Sequence, residues 1–186
     1  MLNQEGVEAV AMYRLAAGHA AAVIETIRPD QLCMPTPCSL WTVHDLLDHL
    51  IGGTEYLLAA VARREAAGAT RGDARDFRDG VARVIAELEQ HGVLTRTCQS
   101  PIGFEWSVEQ AVAGTALDLL IHTWDLARAT GQDETLDPTL VTACSATFLP
   151  HMPEAGRVAG LIGPAIDVDP DAGPQDLLLA AMGRRP

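Results

Sequence analysis

The sequence predicts an all-α protein, an antiparallel four-helix bundle with a short hairpin-like connection and a C-terminal capping tail. Three observations predict it. Four long segments repeat their apolar residues at helical period. Start and stop signals punctuate those segments where helices need them. A chain of 186 residues, 48% of them hydrophobic, is long enough to bury one core as a single domain over residues 1–186.

The first helix is expected over residues 4–27, "QEGVEAVAMYRLAAGHAAAVIETI", rich in alanine, with Val7, Val10, Leu15, Ala22 and Ile27 available for burial and "RPD" stopping it. The second covers residues 43–66. Its apolar stripe is Val43, Leu46, Leu47, Leu50, Thr54, Leu57, Leu58 and Val61, and Thr42 with Asp45 offers a capping box. After the loop "AAGATRGDAR" a third helix places Phe77, Val81, Val84, Ile85 and Leu88 on one face, with Gly92 as its stop. The stretch "VLTRTCQSPIGFEW" reads as a small hairpin or extended connection turning at "SPIG". Ser107 and Gln110 form a second capping box, for a helix that Gly131 ends. Asp137 and Pro138 open a further helix closed by Pro150, and the Pro- and Gly-rich tail holds one more short helix near "QDLLLAAMG".

Charge and composition exclude several functions. Thirteen Lys and Arg face 25 Asp and Glu, a formal charge of −12, which argues against tracking nucleic-acid phosphates or anionic lipid. No apolar run approaches the roughly 18 residues of a membrane span, and "MLNQEGVEAV" has no signal-peptide pattern. Cys33, Cys38, Cys98 and Cys144 make no CxxC pair, which suits a reducing, cytoplasmic setting. No nucleotide-binding loop or nucleophile elbow occurs.

Chemistry concentrates in "LDLLIHTWDLARATG", residues 117–131. Counted from His122, Asp118 lies about 40° to one side and Asp125 about 60° to the same side, over Ala111, Thr115 and Ala129 within about 20°. Every other face is apolar, so this polar strip either meets solvent as a surface pair or lines a cavity. In the second case a carboxylate and an imidazole at i, i+4 chelate one divalent ion, and a third ligand must come from a neighbouring helix. The candidate is His49. It sits about 130° from the centre of its own apolar stripe but above Gly53 and Ala60, which would admit a close neighbour. His44, near Asp48, reads as solvated, His19 as a core-edge residue, and His91 and His151 as helix-end cations. Cys38, just before the second helix, reads as a small buried side chain, with an acidified thiol as the alternative.

The segments "PTPCSLWTVHDLLDHLIGG" and "LDLLIHTWDLARATGQ" together resemble the DinB-like family, in particular the metal-binding domain of the mycothiol-dependent maleylpyruvate isomerase type. The tail "GPAIDVDPDAGPQDLLLAAMGRRP" is similar to the ends of short, single-domain members. The resemblance implies a four-helix bundle holding a divalent metal through His49, Asp118 and His122, with Asp118 standing where the isomerases carry a glutamate. Zinc is the expected ion, with nickel, iron or manganese as alternatives. It also implies a low-molecular-weight thiol, mycothiol, as cosubstrate with a small electrophile, in a metal-dependent transferase or isomerase. A non-catalytic metal- or ligand-binding module is the alternative. The isomerases carry a separate C-terminal domain for which this chain has no room, so the maleylpyruvate reaction itself is not the expectation. Cys38 and Trp41 match the family's lead-in to the second helix, where packing is the expected role. Asp125 is expected to pair with Arg128 or to cap nearby donors. Homodimerisation is left open.

Overall fold

The computed structural model describes residues 4–66, 71–150, 152–169 and 171–186. The chain divides into two compact units, Met1–Asp133 and Glu134–Pro186. His151 and the side chain of Val7 lie outside the described residues.

The first unit is built from α1 (Gln4–Glu25), α2 (Val43–Ala62), α3 (Ala74–Leu88), a hairpin of β1 (Thr97–Gln99) and β2 (Glu105–Ser107), and α4 (Val108–Thr130). Local chemistry starts α2 and α4 and stops α4 as the sequence predicts, whereas α2 ends at Ala62 rather than at 66 and α3 ends at Leu88, capped by Glu89 ahead of Gly92. The Thr42 hydroxyl accepts from the Asp45 N–H while the Asp45 carboxylate accepts from the Thr42 N–H. Ser107 and Gln110 repeat this reciprocal cap on α4. Gly131 closes α4 with a φ of 69°, a left-handed conformation that costs a residue without a Cβ little. Arg63 ends α2 in the same region at φ 54°.

α2 buries the whole expected stripe from Val43 to Val61. On α1 the buried face differs from expectation: it is Ala9, Val10, Tyr13, Ala16, Ala17, Ala20 and Ile24. Leu15 and Ala22 are exposed, and Ile27 lies past the helix end, half-buried. Tyr13, Ala16, Ala17 and Ala20 stand at i, i+3, i+4 and i+7, and the three alanines suit close packing of α1 on α4. His19 is exposed on that helix rather than at the edge of the core. α3 buries Phe77, Gly80, Val84 and Leu88, while Val81 and Ile85 are half-buried.

Around the bundle the neighbours run α1, α3, α2, α4 and back to α1. Ion pairs Arg14–Glu89 and Glu25–Arg78 join opposite ends of α1 and α3, so these two run antiparallel. Asp48 accepts from Gly72 near the starts of α2 and α3, and Gly80 packs on Thr54, so those two run parallel. α2 and α4 are antiparallel, with His49 beside Asp118 and Gly53 facing Thr115. Each helix therefore has one antiparallel and one parallel neighbour. The long α2–α3 connection permits this, since eleven residues can span about 36 Å, more than the length of either helix.

The hairpin pairs Cys98 with Trp106 and turns through Gly103 at φ 89°. The Trp106 indole N–H donates to the Tyr56 hydroxyl (2.8 Å), which donates to the Gln99 carbonyl (2.9 Å). These bonds fasten the hairpin to α2 and set the start of α4.

The second unit holds α5 (Pro138–Phe148), capped by Asp137, then α6 (Met152–Val158) and α7 (Pro174–Ala181). α6 is the element the sequence reading leaves out. Gln175 accepts from the Leu136 N–H and donates to the Glu134 carbonyl, tying α7 to the lead-in of α5. Among the described residues no helix is long and apolar enough to cross a membrane.

Candidate metal centre

Two helices build the site. α4 is buried on most sides, so its polar strip runs from half-exposed Asp118 to buried His122 and Asp125. α2 brings His49 to that strip across its antiparallel contact with α4, where Gly53, one turn further on, faces the Thr115 methyl; a Cβ there would sit 3.8 Å from that methyl, an ordinary contact. His49 lies off the apolar stripe of α2 yet faces α4, where Asp118 meets it.

The three expected ligands come together. His49 Nε2 lies 3.0 Å from Asp118 Oδ2, and His122 Nε2 lies 3.4 Å from Asp118 Oδ1. Each carboxylate oxygen therefore faces one histidine. One ligand atom from each residue lies within 4.8 Å of the others. Two donors about 2.1 Å from one ion stand at most about 4.2 Å apart, so this set reaches a shared ion with small ring movements. Two imidazoles and a carboxylate also suit a divalent ion chemically. The side chains of His49 and Asp118 are 35% and 38% exposed against 8% for His122. The donor set is open at His49 and Asp118 and closed at His122.

Behind His122 stands Asp125, fully buried, its Oδ2 2.9 Å from His122 Nδ1. The ring N–H donates to this carboxylate and leaves Nε2 turned toward Asp118. The sequence places Asp125 on the His122 side of the helix and leads one to expect pairing with Arg128 or capping of nearby donors; the bond to His122 is a further role. Its i, i+3 spacing from His122 is the signal that could have found this role. Arg128 lies over the Trp124 ring, 4.3 Å from its centroid.

Electrostatics follow the geometry. Burial alone would lower the His122 pKa, but the Asp118 charge and hydrogen bonds to Asp118 and Asp125 raise it to about 9. For Asp118, partial burial opposes ionisation, yet the charge of His122 and the bonds from both histidines hold its carboxyl well below the usual carboxylate range. In the metal-free protein the pair is an imidazolium and a carboxylate.

Other candidates lie elsewhere. His44 is half-buried, its Nδ1 accepting from Arg71 (3.0 Å) and its Nε2 3.8 Å from Asp48, so it ties the α3 lead-in to α2 rather than standing free in solvent. His91 is exposed beyond the end of α3. Cys38 is half-buried, and its carbonyl accepts from the Trp41 N–H in the turn before α2. Trp41 packs its ring against both His49 and His122.

A helical bundle with a two-histidine, one-carboxylate cluster between α2 and α4 defines a small class of domains. This chain belongs to the mycothiol maleylpyruvate isomerase N-terminal domain family, whose description matches residues 13–127, and the DinB-like family is consistent with it. Two uncharacterized proteins of Mycobacterium tuberculosis, from strains CDC 1551 and H37Rv, are each 34% identical to it over 177 residues, covering 88% of this chain and 91% of the relative. No solved structure matches it.

Proposed function

We propose that this protein is a divalent-metal-dependent thiol transferase or isomerase, in which His49, Asp118 and His122 hold the ion and a mycothiol-type thiol attacks a small electrophile. The convergence of three donors from two helices within 4.8 Å of one another carries the proposal. The family's description, naming a mycothiol-linked isomerase, supports the thiol. A bound divalent ion, zinc first, supplies a positive charge that makes thiolate available at neutral pH. The chain's own residues do the rest. Asp125 accepts the Nδ1–H hydrogen bond of His122 and so fixes which nitrogen is offered. Asp118 contributes the negative charge and orients both Nε2 atoms. The half-exposed side of His49 and Asp118 leaves room for a small molecule to reach the donors. Four free cysteines fit a reducing, cytoplasmic setting, with burial pushing the Cys144 thiol up to about 12.

One observation favours a second reading, a non-catalytic binding module. The three side chains already satisfy one another by hydrogen bonds, so the cluster can persist as a structural network. Elemental analysis of protein purified without added metal or chelator separates the two, followed by reconstitution with zinc, nickel, iron and manganese and a thiol-consumption screen across small electrophiles. Near one ion per chain with metal-dependent thiol loss is expected. Failure to take up any of these ions stoichiometrically sinks the metal centre.

A further inference from the structure

Trp41 stands one residue before the Thr42 cap of α2, and its indole lies against two histidines delivered by different helices. Its ring centroid is 4.6 Å from that of His49, tilted 41°, and 5.7 Å from that of His122, tilted 39°. The two imidazoles stand 4.9 Å apart at 77° to each other. The turn that carries the indole is tied at several points. Thr36 donates to the Trp41 carbonyl through both its backbone N–H (3.1 Å) and its hydroxyl (2.9 Å). The Trp41 N–H donates to the Cys38 carbonyl at 2.8 Å, and Pro35 bridges to Thr42.

The two histidines differ in what holds their planes. An imidazole turns broadly about its second side-chain torsion, so a ligand histidine needs a neighbour to set its ring. His122 has Asp125 on Nδ1. His49 bonds Asp118 through Nε2 and has no hydrogen bond at Nδ1 among the described residues. Two rings pack on it, the Trp41 indole at 4.6 Å between centroids and the His122 imidazole at 4.9 Å, and the indole is the nearer. Tilted rings in contact also leave no layer for water on that flank.

The geometry points to Trp41 as a positioning residue of the metal centre, fixing the His49 ring and closing one flank of the ion's surroundings to water. This rests on the reading that His49, Asp118 and His122 hold a divalent ion. It assigns the open side, from which thiol and electrophile would approach, to the flank away from the indole, and it would keep water off the indole flank of a bound ion.

Cobalt(II), added to the full chain, tests this, because its visible absorption is strong when four-coordinate and weak when water expands the shell. Trp41→Phe keeps a flat ring, while Trp41→Leu keeps apolar bulk, and so the fold, without one. Trp41→Phe is expected to retain the parent's spectrum and affinity. Trp41→Leu is expected to lose most of the band intensity and to bind about 10- to 100-fold more weakly. A Trp41→Leu protein with the parent's spectrum and affinity overturns the proposal, as does a Trp41→Phe protein altered as much as Trp41→Leu. A parent chain that takes up no cobalt, with metal-free thermal unfolding intact, refutes the metal reading itself and is told apart by that result.

Discussion

His49 and His44 lie five residues apart on α2 and meet different surroundings. His49 faces Asp118 across the α2–α4 contact, whereas His44 bonds Arg71 beside Asp48. His49→Ala is expected to abolish tight metal binding in a calorimetric titration and His44→Ala to leave it nearly intact, with the bundle folded in both. The reverse result would mean the inward face of α2 is misassigned. Asp118 gives a second test, since each of its oxygens meets one histidine. Asp118→Ala should weaken binding by orders of magnitude and Asp118→Asn should also hurt, because a neutral amide is a poor ligand. Asp118→Glu should still bind while moving the donor by one methylene. Parent-like affinity in Asp118→Ala would place the carboxylate outside the coordination set. Asp118 and His122 were legible because i, i+4 spacing puts them on one strip of an otherwise apolar helix. Asp125 and Trp41 were not, since what they touch depends on ring orientation and on a turn that folds back over the site.

Among the elements, the clearest sequence signals were caps and stripes. Thr42–Asp45, Ser107–Gln110, Gly131 and the Val43–Val61 stripe all stand where the pattern puts them, because each is decided within a few residues. α1 was misread because alanine on every face gives the periodicity little contrast. α6 was missed because seven residues among prolines and glycines have no periodic signal. Which helices neighbour each other was also illegible, being set by contacts such as Gly80 against Thr54. A Cβ on Gly80 would lie 2.3 Å from the Thr54 hydroxyl oxygen and 2.9 Å from its Cβ, so the parallel α2–α3 packing requires glycine there. Gly80→Ala gains helix propensity but must push the helices apart, and a net loss of about 1–3 kcal/mol is expected from denaturant unfolding. An unchanged or raised midpoint would show that this contact yields without cost.

Across the whole molecule, a formal charge of −12 favours cations near an open site, and the proton on His122 is the ion's direct competitor. In the metal-free protein the folded His122 pKa of about 9 exceeds its ordinary 6.5. Its stabilising contribution is therefore complete below about pH 6.5 and disappears as pH rises through about 9. The lowered Asp118 pKa works in the other direction: its contribution is present above the ordinary 3.8 and is lost as pH falls through the folded value. Between those limits the imidazolium–carboxylate cluster holds the metal-free fold best. Metal binding needs Nε2 of His122 deprotonated, so affinity should climb over the interval in which that stabilisation fades. Thermal unfolding from pH 6 to 8.5, once with chelator and once with stoichiometric zinc, is expected to show the two melting temperatures diverging as pH rises. The chelated protein should soften while the zinc-loaded protein holds or gains, because an ion bound only to the folded state adds stability in step with its affinity. A gap that stays constant across this range would mean that no proton leaves His122 when the ion binds, and that the histidine is not a ligand.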